Sequence, residues 1–157
     1  MKATNNKYIT FDKFIDTALY NKDFGFYMKK NPIGSDGDFI TSPNISILFS
    51  EMIAIWVISF WEHLKYPKKI NLIELGGGNG EMIYQLLKVF KSFPQFKSSC
   101  KIHIFEKSPF LVKVQKKKLE KYSVNWITKL SNIEKCPTIY LANEFFDSLP
   151  IKQFYKK

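Results

Sequence analysis

Apolar residues follow two alternating patterns in the second half of this chain. Short apolar or alternating runs at residues 70–75, 101–106, 124–127 and 138–142 predict four β-strands. Apolar positions at helical spacing follow the first two runs and predict helices between the strands. Strands that alternate with helices build a parallel sheet, and the right-handed crossover rule predicts the strand order 3-2-1-4. A ligand is then expected at the carboxyl edge of strands one and four, where the order reverses.

The first part of the chain has a helical pattern without strand signals. One helix is predicted around residues 11–19, where apolar residues recur at helical spacing. Residues 21–42 combine glycine and proline with several aromatic residues, which is typical of an ordered loop or small lid. A second helix is predicted from Ser42, as N-cap, to about Leu64. Because this helix is apolar on most sides, we expect it to be well buried.

These patterns divide the chain into two parts. Residues 1–66 are predicted to form an amino-terminal helical and lid segment, and residues 67–157 to form an α/β domain with a Rossmann-like parallel sheet. The chain ends a few residues after Pro150, whereas a complete doubly wound sheet needs further strands. We therefore expect the domain to be incomplete at its carboxyl end. A fourth strand without its neighbour is expected to make the isolated piece poorly soluble.

A glycine cluster follows the first predicted strand. Glycines alternate in the pattern G-x-G-x-G at residues 76–80, directly after Glu74 and Leu75. A dinucleotide fingerprint would need glycine at position 81 or 83, and these positions are Glu81 and Ile83. A P-loop would need a lysine after the last glycine. The spacing resembles the first motif of class I S-adenosylmethionine-dependent methyltransferases, although a glycine-rich turn of another Rossmann-like domain has similar features.

Composition excludes several classes of function. The net charge of +10 comes from 24 lysines without any arginine, whereas proteins that bind phosphate and guanine favour arginine. The lysines are spread along the chain, so we expect no nucleic-acid partner. The two cysteines fit a reducing compartment, and neither histidine has the spacing of a metal site. The longest apolar stretch, residues 52–61, is shorter than the ~20 residues that a membrane span needs.

Four separated motifs resemble one family. They are G-F-Y at residues 25–27, G-D-F-I-T-S-P at 37–43, E-L-G at 74–76 and N-E-F-F-D-S-L-P at 143–150. In this order they resemble the MidA-like methyltransferases, which are bacterial relatives of a mitochondrial complex I assembly factor that methylates protein arginine. The resemblance covers nearly the whole chain and the amino-terminal part of the family, whose members are about twice as long. It implies a class I methyltransferase fold and S-adenosyl-L-methionine as cofactor.

The resemblance and the chemistry of the cofactor together indicate which residues bind it. Backbone N–H groups of the glycine turn suit the cofactor's carboxylate, and Glu74 suits its ammonium. Glu106, at the end of the second strand, suits both ribose hydroxyls. Resemblance alone assigns Asp38 and Thr41 to the closure over the cofactor. The predicted cofactor-binding residues are Glu74, Gly76, Gly78, Gly80, Glu106, Asp38 and Thr41.

The predicted catalytic residues lie just after the fourth strand. Asn143, Glu144 and Asp147 are expected at the carboxyl edge of the sheet, beside the glycine turn. A guanidinium is a poor nucleophile, and carboxylates would hold its fork and polarise one nitrogen. For Asp147, a cap over the following turn explains the residue equally well.

Three positions depart from the usual family pattern. Asn44 stands where the family usually has glutamate, Gly77 stands where its glycine loop commonly has proline, and Glu81 stands where it usually has a small polar residue. Glu81 is expected to bring a carboxylate close to the site for the cofactor's own carboxylate, which would weaken binding.

Three functions follow from these patterns. The first is methyl transfer to a protein arginine, with a respiratory-complex subunit as a candidate substrate. The second is a non-catalytic assembly module that keeps the fold, and the third, a dinucleotide oxidoreductase, is disfavoured by the glycine spacing. Residues 1–8 have neither the apolar stretch of a signal peptide nor the arginines of a transit peptide. The resemblance implies a cytoplasmic protein in a bacterium or a matrix protein in a mitochondrion.

Overall fold

The structure is a computed structural model that describes residues 8–29, 32–34 and 37–156. Its centre is a parallel sheet of four strands in the order β3-β2-β1-β4, as the crossover rule predicts. The strands are β1 (Ile70–Leu75), β2 (Cys100–Phe105), β3 (Asn125–Ile127) and β4 (Thr138–Leu141). The predicted α/β fold class and strand order are therefore confirmed.

Seven helices surround or precede the sheet within the described ranges. They are α1 (Phe11–Tyr20), α2 (Phe26–Lys29), α3 (Ser42–Ile45), α4 (Ile47–His63), α5 (Glu81–Phe90), α6 (Pro94–Ser99) and α7 (Pro109–Lys118). The short helix α6 was not predicted, although Pro94 at its amino end is a common helix start. Ser108 caps α7, where its Oγ accepts a hydrogen bond from the Leu111 N–H at 3.2 Å.

One face of the sheet carries the main core. Alternate residues of the three longer strands, among them Leu72, Ile104 and Ile139, pack with apolar residues of α5. Residues of α4 such as Val57 and Trp61 join the same core, so the amino-terminal segment is packed onto the sheet domain. This packing fixes the glycine turn between β1 and α5 at the carboxyl edge of the sheet.

The helix predicted from residue 42 to residue 64 is divided into α3 and α4. Ser46 breaks it with extended dihedral angles of φ −139° and ψ 120°. Thr41 rather than Ser42 is the N-cap residue, and the Asn44 side chain donates to Thr41 Oγ1 at 2.8 Å. Asn44 and Ser46 belong to residue types that favour turns and helix ends over helix interiors, so the sequence at this junction does not favour a continuous helix.

The prediction that this helix is well buried is wrong for one side of α4. Ala54 and Val57 are fully buried against the core, whereas Leu48, Met52 and Trp56 are 62%, 62% and 52% exposed. The helix packs against α5 on one side, and its opposite apolar side is uncovered in the described chain. No helix among the described residues is long and apolar enough to cross a membrane.

Candidate functional site

The glycine turn has the left-handed backbone that its sequence predicts. Gly76, Gly78 and Gly80 have φ angles of +70°, +52° and +80°. A Cβ atom on Gly76 would lie 2.6 Å from Cδ2 of Phe145, and one on Gly78 would lie 3.0 Å from Cδ1 of Ile33. The turn therefore needs glycine because side chains from two distant segments press against it.

The turn gives a prediction with an internal control. Gly76→Ala combines a strained φ with a clash against Phe145, whereas Gly80→Ala has a strained φ and an ordinary nearest contact of 3.5 Å. We expect Gly80→Ala to lower the free energy of unfolding by about 1–2 kcal/mol, and Gly76→Ala to lower it by roughly 1–3 kcal/mol more. Urea unfolding of both variants tests this. Equal losses would mean that the Phe145 ring moves aside without cost.

Two adjoining cavities lie over the turn. The larger has a volume of about 490 Å³ and the smaller a volume of about 50 Å³. The larger volume is within the range of small-molecule and cofactor sites. Both cavities are lined by Ile33, Gly76, Gly78 and Glu144. The glycine turn and Glu144 therefore mark the junction between the two spaces.

Glu74 lines the smaller cavity with a buried carboxyl group. Its side chain is 4% exposed, and its Oε2 atom has no hydrogen-bond partner among the described residues. Burial, together with the charge of Glu106, raises the pKa of Glu74 to about 8. A buried carboxyl without a partner is costly, so the site favours a bound cation or hydrogen-bond donor at this atom.

The raised pKa of Glu74 predicts a pH-dependent stability. Below its ordinary pKa of 4.5 the carboxyl is protonated in both the folded and the unfolded chain. Between pH 4.5 and about 8 the carboxyl is mostly ionised in the unfolded chain and mostly protonated in the folded chain, so the free energy of unfolding should fall by a few kcal/mol as the pH rises through this range. Burial also raises the pKa of Glu106, which acts in the same direction.

Glu74→Gln removes the ionisable group and keeps its shape. We expect this variant to lose most of the decrease in unfolding free energy between pH 4.5 and pH 8, where Glu74 titrates. Denaturant unfolding at a series of pH values measures it. An unchanged pH slope in the variant would show that the Glu74 carboxyl ionises normally in the folded chain.

Glu106 lines the larger cavity at the end of β2. Its Oε1 accepts from the Ser108 N–H at 2.9 Å, and its Oε2 accepts from Nε2 of Gln115 at 3.1 Å. The same Gln115 nitrogen donates to the Gly78 carbonyl at 2.9 Å. Trp126 Nε1 donates to Gln115 Oε1 at 2.9 Å, which fixes the amide orientation. Gln115 thus links the Glu106 carboxylate to the glycine turn. In the sequence, the feature that could have indicated this role is a polar amide at a position of α7 that faces the interior.

Glu144 lies at the junction of the two cavities on a strained backbone. Its φ is +49°, an uncommon value for a residue other than glycine, and such residues cluster at functional sites. Its Oε1 accepts hydrogen bonds from the Ser42 N–H and from Nδ2 of Asn143, both at 3.3 Å. Its carboxylate is exposed, and Asn143 lines the smaller cavity.

The amino-terminal segment reaches the glycine turn through Asn44. Asn79 Nδ2 donates to Asn44 Oδ1 at 2.9 Å, and Thr41 lines the smaller cavity beside them. Asn44, one of the three departures from the family pattern, therefore holds the turn through an amide pair.

Gly77 and Glu81, the other two departures, also line the smaller cavity. Burial opposes the ionisation of Glu81, but hydrogen bonds from Lys118 and Gln85 outweigh burial and lower its pKa. The Lys118 ion pair offsets the charge of this carboxylate, so the expected repulsion of a bound carboxylate is reduced.

Three predicted residues line neither of the two cavities, namely Asp38, Gly80 and Asp147. Asp147 is an exposed residue of the short 3₁₀ turn Phe146–Ser148. Sequence reasoning missed Tyr20 and Tyr27, which line the larger cavity from the amino-terminal side. The sequence feature that could have indicated these two residues is the high aromatic content of the first helix and the lid.

A sequence profile assigns the chain to a protein family. The profile described as "Putative S-adenosyl-L-methionine-dependent methyltransferase" matches residues 52–157. The chain belongs to this family. The family resemblance inferred from the motifs is confirmed, and the cofactor class expected for the chain is the one named in the family description.

Curated relatives agree with this assignment. "Protein arginine methyltransferase NDUFAF7, mitochondrial" from Xenopus laevis is 37% identical over 94% of this chain and 39% of its own length. The Homo sapiens protein of the same name is 33% identical over 94% of this chain and 39% of its length. The chain thus spans about two fifths of the length of these relatives.

A solved structure shares the fold. A "likely methyl transferase" from Burkholderia thailandensis, bound to S-adenosyl-homocysteine, superposes with a TM-score of 0.73 at 22% identity. The superposition covers 90% of this chain and 38% of that protein. It confirms the methyltransferase-type α/β fold.

Proposed function

We propose that this chain is the cofactor-binding and catalytic part of a methyltransferase that transfers a methyl group from S-adenosyl-L-methionine to a protein arginine. The observation that carries the proposal is the position of Glu144, at the junction of two cavities and beside the glycine turn. The family description and the names of the curated relatives support the same reaction.

The residues of the site fit the proposed cofactor. The larger cavity has room for an adenosine group, and Glu106 would accept hydrogen bonds from the ribose hydroxyls. N–H groups of the turn would bind the carboxylate of the methionine end. The unpartnered Oε2 of Glu74 would accept from its ammonium, and Thr41 would close the smaller cavity from the other side. Asp38 remains a prediction from the family resemblance.

The acceptor guanidinium would bind to Glu144. When bound, the cofactor supplies an electrophilic methyl group, and transfer by in-line displacement needs alignment of the acceptor more than a strong base. The Glu144 carboxylate would hold the guanidinium and polarise one nitrogen, with Asn143 orienting the carboxylate through its amide. We keep Asp147, whose neighbour Ser148 lines the larger cavity, as a second candidate acid, and a turn-capping role is its alternative.

The nature of the acceptor and the compartment are part of the proposal. The relatives are named protein arginine methyltransferases and mitochondrial, which supports a protein substrate and a mitochondrial setting. The bacterial cytoplasm is the alternative that the family resemblance implies. A subunit of a respiratory complex is the proposed substrate, on the basis of the family resemblance. Residues 1–66 would act as the packing and lid segment for the cofactor-binding residues 67–157.

Cofactor selectivity tests the proposal before any acceptor is known. Calorimetry on the full natural protein that contains residues 1–157 should detect S-adenosyl-homocysteine binding, whereas NAD should give no heat of binding. The glycine spacing, which does not fit the dinucleotide fingerprint, is the reason for the expected difference. NAD binding at micromolar concentration without S-adenosyl-homocysteine binding would contradict the proposal.

The alternative of a non-catalytic assembly module predicts a different combination. Such a module would bind the cofactor and would release no methylated product with any arginine-containing acceptor. Methyl transfer is therefore the property that separates the two functions.

A further inference from the structure

Helix α1 has little buried surface. The structure gives it no buried residue, and Phe11 and Phe14 at its amino-terminal half are 43% and 53% exposed. A helix with little buried area opens at a low free-energy cost compared with the core. Its last three residues, Ala18 to Tyr20, are partly buried, and Tyr20 is the residue of α1 that lines the larger cavity.

Tyr20 makes several contacts at this point. Its hydroxyl donates to the Ser148 carbonyl at 3.0 Å and lies 3.3 Å from Ser148 Oγ. Its ring stacks on the ring of Tyr27, with centroids 5.8 Å apart and an interplanar angle of 25°. Nζ of Lys107 lies 4.1 Å from the centroid of the Tyr20 ring. The same Nζ forms an ion pair at 3.3 Å with Asp16, which like Tyr20 belongs to α1. These contacts bring α1 to the segment that follows β4.

That segment leads directly to the glycine turn and Glu144. Ser148 Oγ donates to the Phe145 carbonyl at 2.7 Å. The Phe145 ring presses against Gly76, and Phe145 follows Glu144 in the chain. Tyr20 and Ser148 also line the larger cavity together. A displacement of Tyr20 would therefore change the wall of the larger cavity at Ser148.

We propose that Tyr20 is a positioning residue of this site, whose hydroxyl holds α1 against the Phe145–Ser148 segment and keeps the larger cavity closed over its ligand. The inference rests on the proposed cofactor function. Burial raises the pKa of Tyr20, so its hydroxyl remains a donor at neutral pH. One neutral hydrogen bond of this kind changes the ratio of closed to open forms by roughly 3- to 10-fold.

The test uses Tyr20→Phe in the full natural protein, with Tyr8→Phe as the matched control, because Tyr8 is 81% exposed and lines neither cavity. Hydrogen exchange of the unliganded protein is the first measurement. We expect Tyr20→Phe to raise exchange in residues 11–20 and 145–149 together, by about 3- to 10-fold, while the sheet strands keep their protection. Tyr8→Phe should change neither segment.

The release rate of S-adenosyl-homocysteine is the second measurement. This rate should rise by about 3- to 10-fold in Tyr20→Phe. In assays that contain a methyl acceptor, the KM for the cofactor should rise, while kcat should change less than 2-fold. A loss of kcat by about 100-fold at unchanged KM would instead indicate proton transfer by Tyr20 and overturn the proposal. Unchanged exchange in both segments would also overturn it. Coupled exchange in a protein that binds no S-adenosyl-homocysteine would support the contact itself and refute the cofactor function.

Discussion

Glu144→Gln should retain the affinity for S-adenosyl-homocysteine and lose methyl transfer by ~10²-fold or more. The Glu144 side chain accepts from the Ser42 N–H and from the amide of Asn143, and it faces both cavities at their junction. The substitution keeps the size and one acceptor oxygen but removes the negative charge that would hold a guanidinium. Cofactor binding should change little, because the predicted cofactor contacts are made by the glycine turn, Glu74 and Glu106.

Asp147→Asn is the matched control for this prediction. The two acids are three residues apart, both are exposed, and Asp147 lines neither cavity. We expect a smaller loss of methyl transfer in Asp147→Asn than in Glu144→Gln. Equal rates of Glu144→Gln and the unchanged protein, measured with saturating cofactor, would move the chemistry away from Glu144. A larger loss in Asp147→Asn would assign the acceptor to that acid.

Glu106→Ala should weaken cofactor binding by about 2–4 kcal/mol, or roughly 30- to 1,000-fold in Kd. Each carboxylate oxygen of Glu106 would accept one charge-assisted hydrogen bond from a ribose hydroxyl. The acid is preorganised, because the Ser108 N–H and Gln115 Nε2 already hold its two oxygens at 2.9 and 3.1 Å. Calorimetry with S-adenosyl-homocysteine measures the loss.

Gln115→Leu distinguishes the role of the Glu106 carboxylate from that of the amide that holds it in place. The variant keeps Glu106 but removes the amide that links it to Gly78 and Trp126. We expect a weaker effect on affinity than in Glu106→Ala, since the carboxylate remains and the Ser108 contact is kept. Unchanged affinity in Glu106→Ala would remove Glu106 from the cofactor site, whatever the result for Gln115→Leu.

The sheet could be predicted because its information is local. Each strand is a short apolar run, the helices between them have a 3.6-residue period, and the crossover rule leaves one order for four such strands. The break at Ser46 could not be predicted in the same way. Beside it, the Asn44 side chain bonds to Thr41 and to Asn79, and the Asn79 contact, 35 residues along the chain, is not visible in a local pattern. The exposure of Leu48 and Met52 likewise depends on which elements lie beside α4, and the helical period contains no such information.

The candidate site was predictable where residues follow strand ends. Glu74, Glu106 and Glu144 are close to the carboxyl ends of three strands, and parallel strands bring these ends to one edge. Residues that reach the site from other elements were missed, because their role appears in tertiary contacts alone. Gln115 on α7 and Tyr20 on α1 are of this kind. Phe145 is a further case, since its ring explains why Gly76 must be glycine.

Methyl transfer to arginine is the most direct test of the central claim. The full natural protein would be incubated with S-adenosyl-L-methionine carrying a labelled methyl group and with an arginine-containing protein acceptor, such as subunits of a respiratory complex. Mass spectrometry of the acceptor then locates the label. The account predicts labelled methylarginine with the unchanged protein and at least ~10²-fold less with Glu144→Gln. A protein that binds S-adenosyl-homocysteine and yet transfers no label to arginine would contradict it.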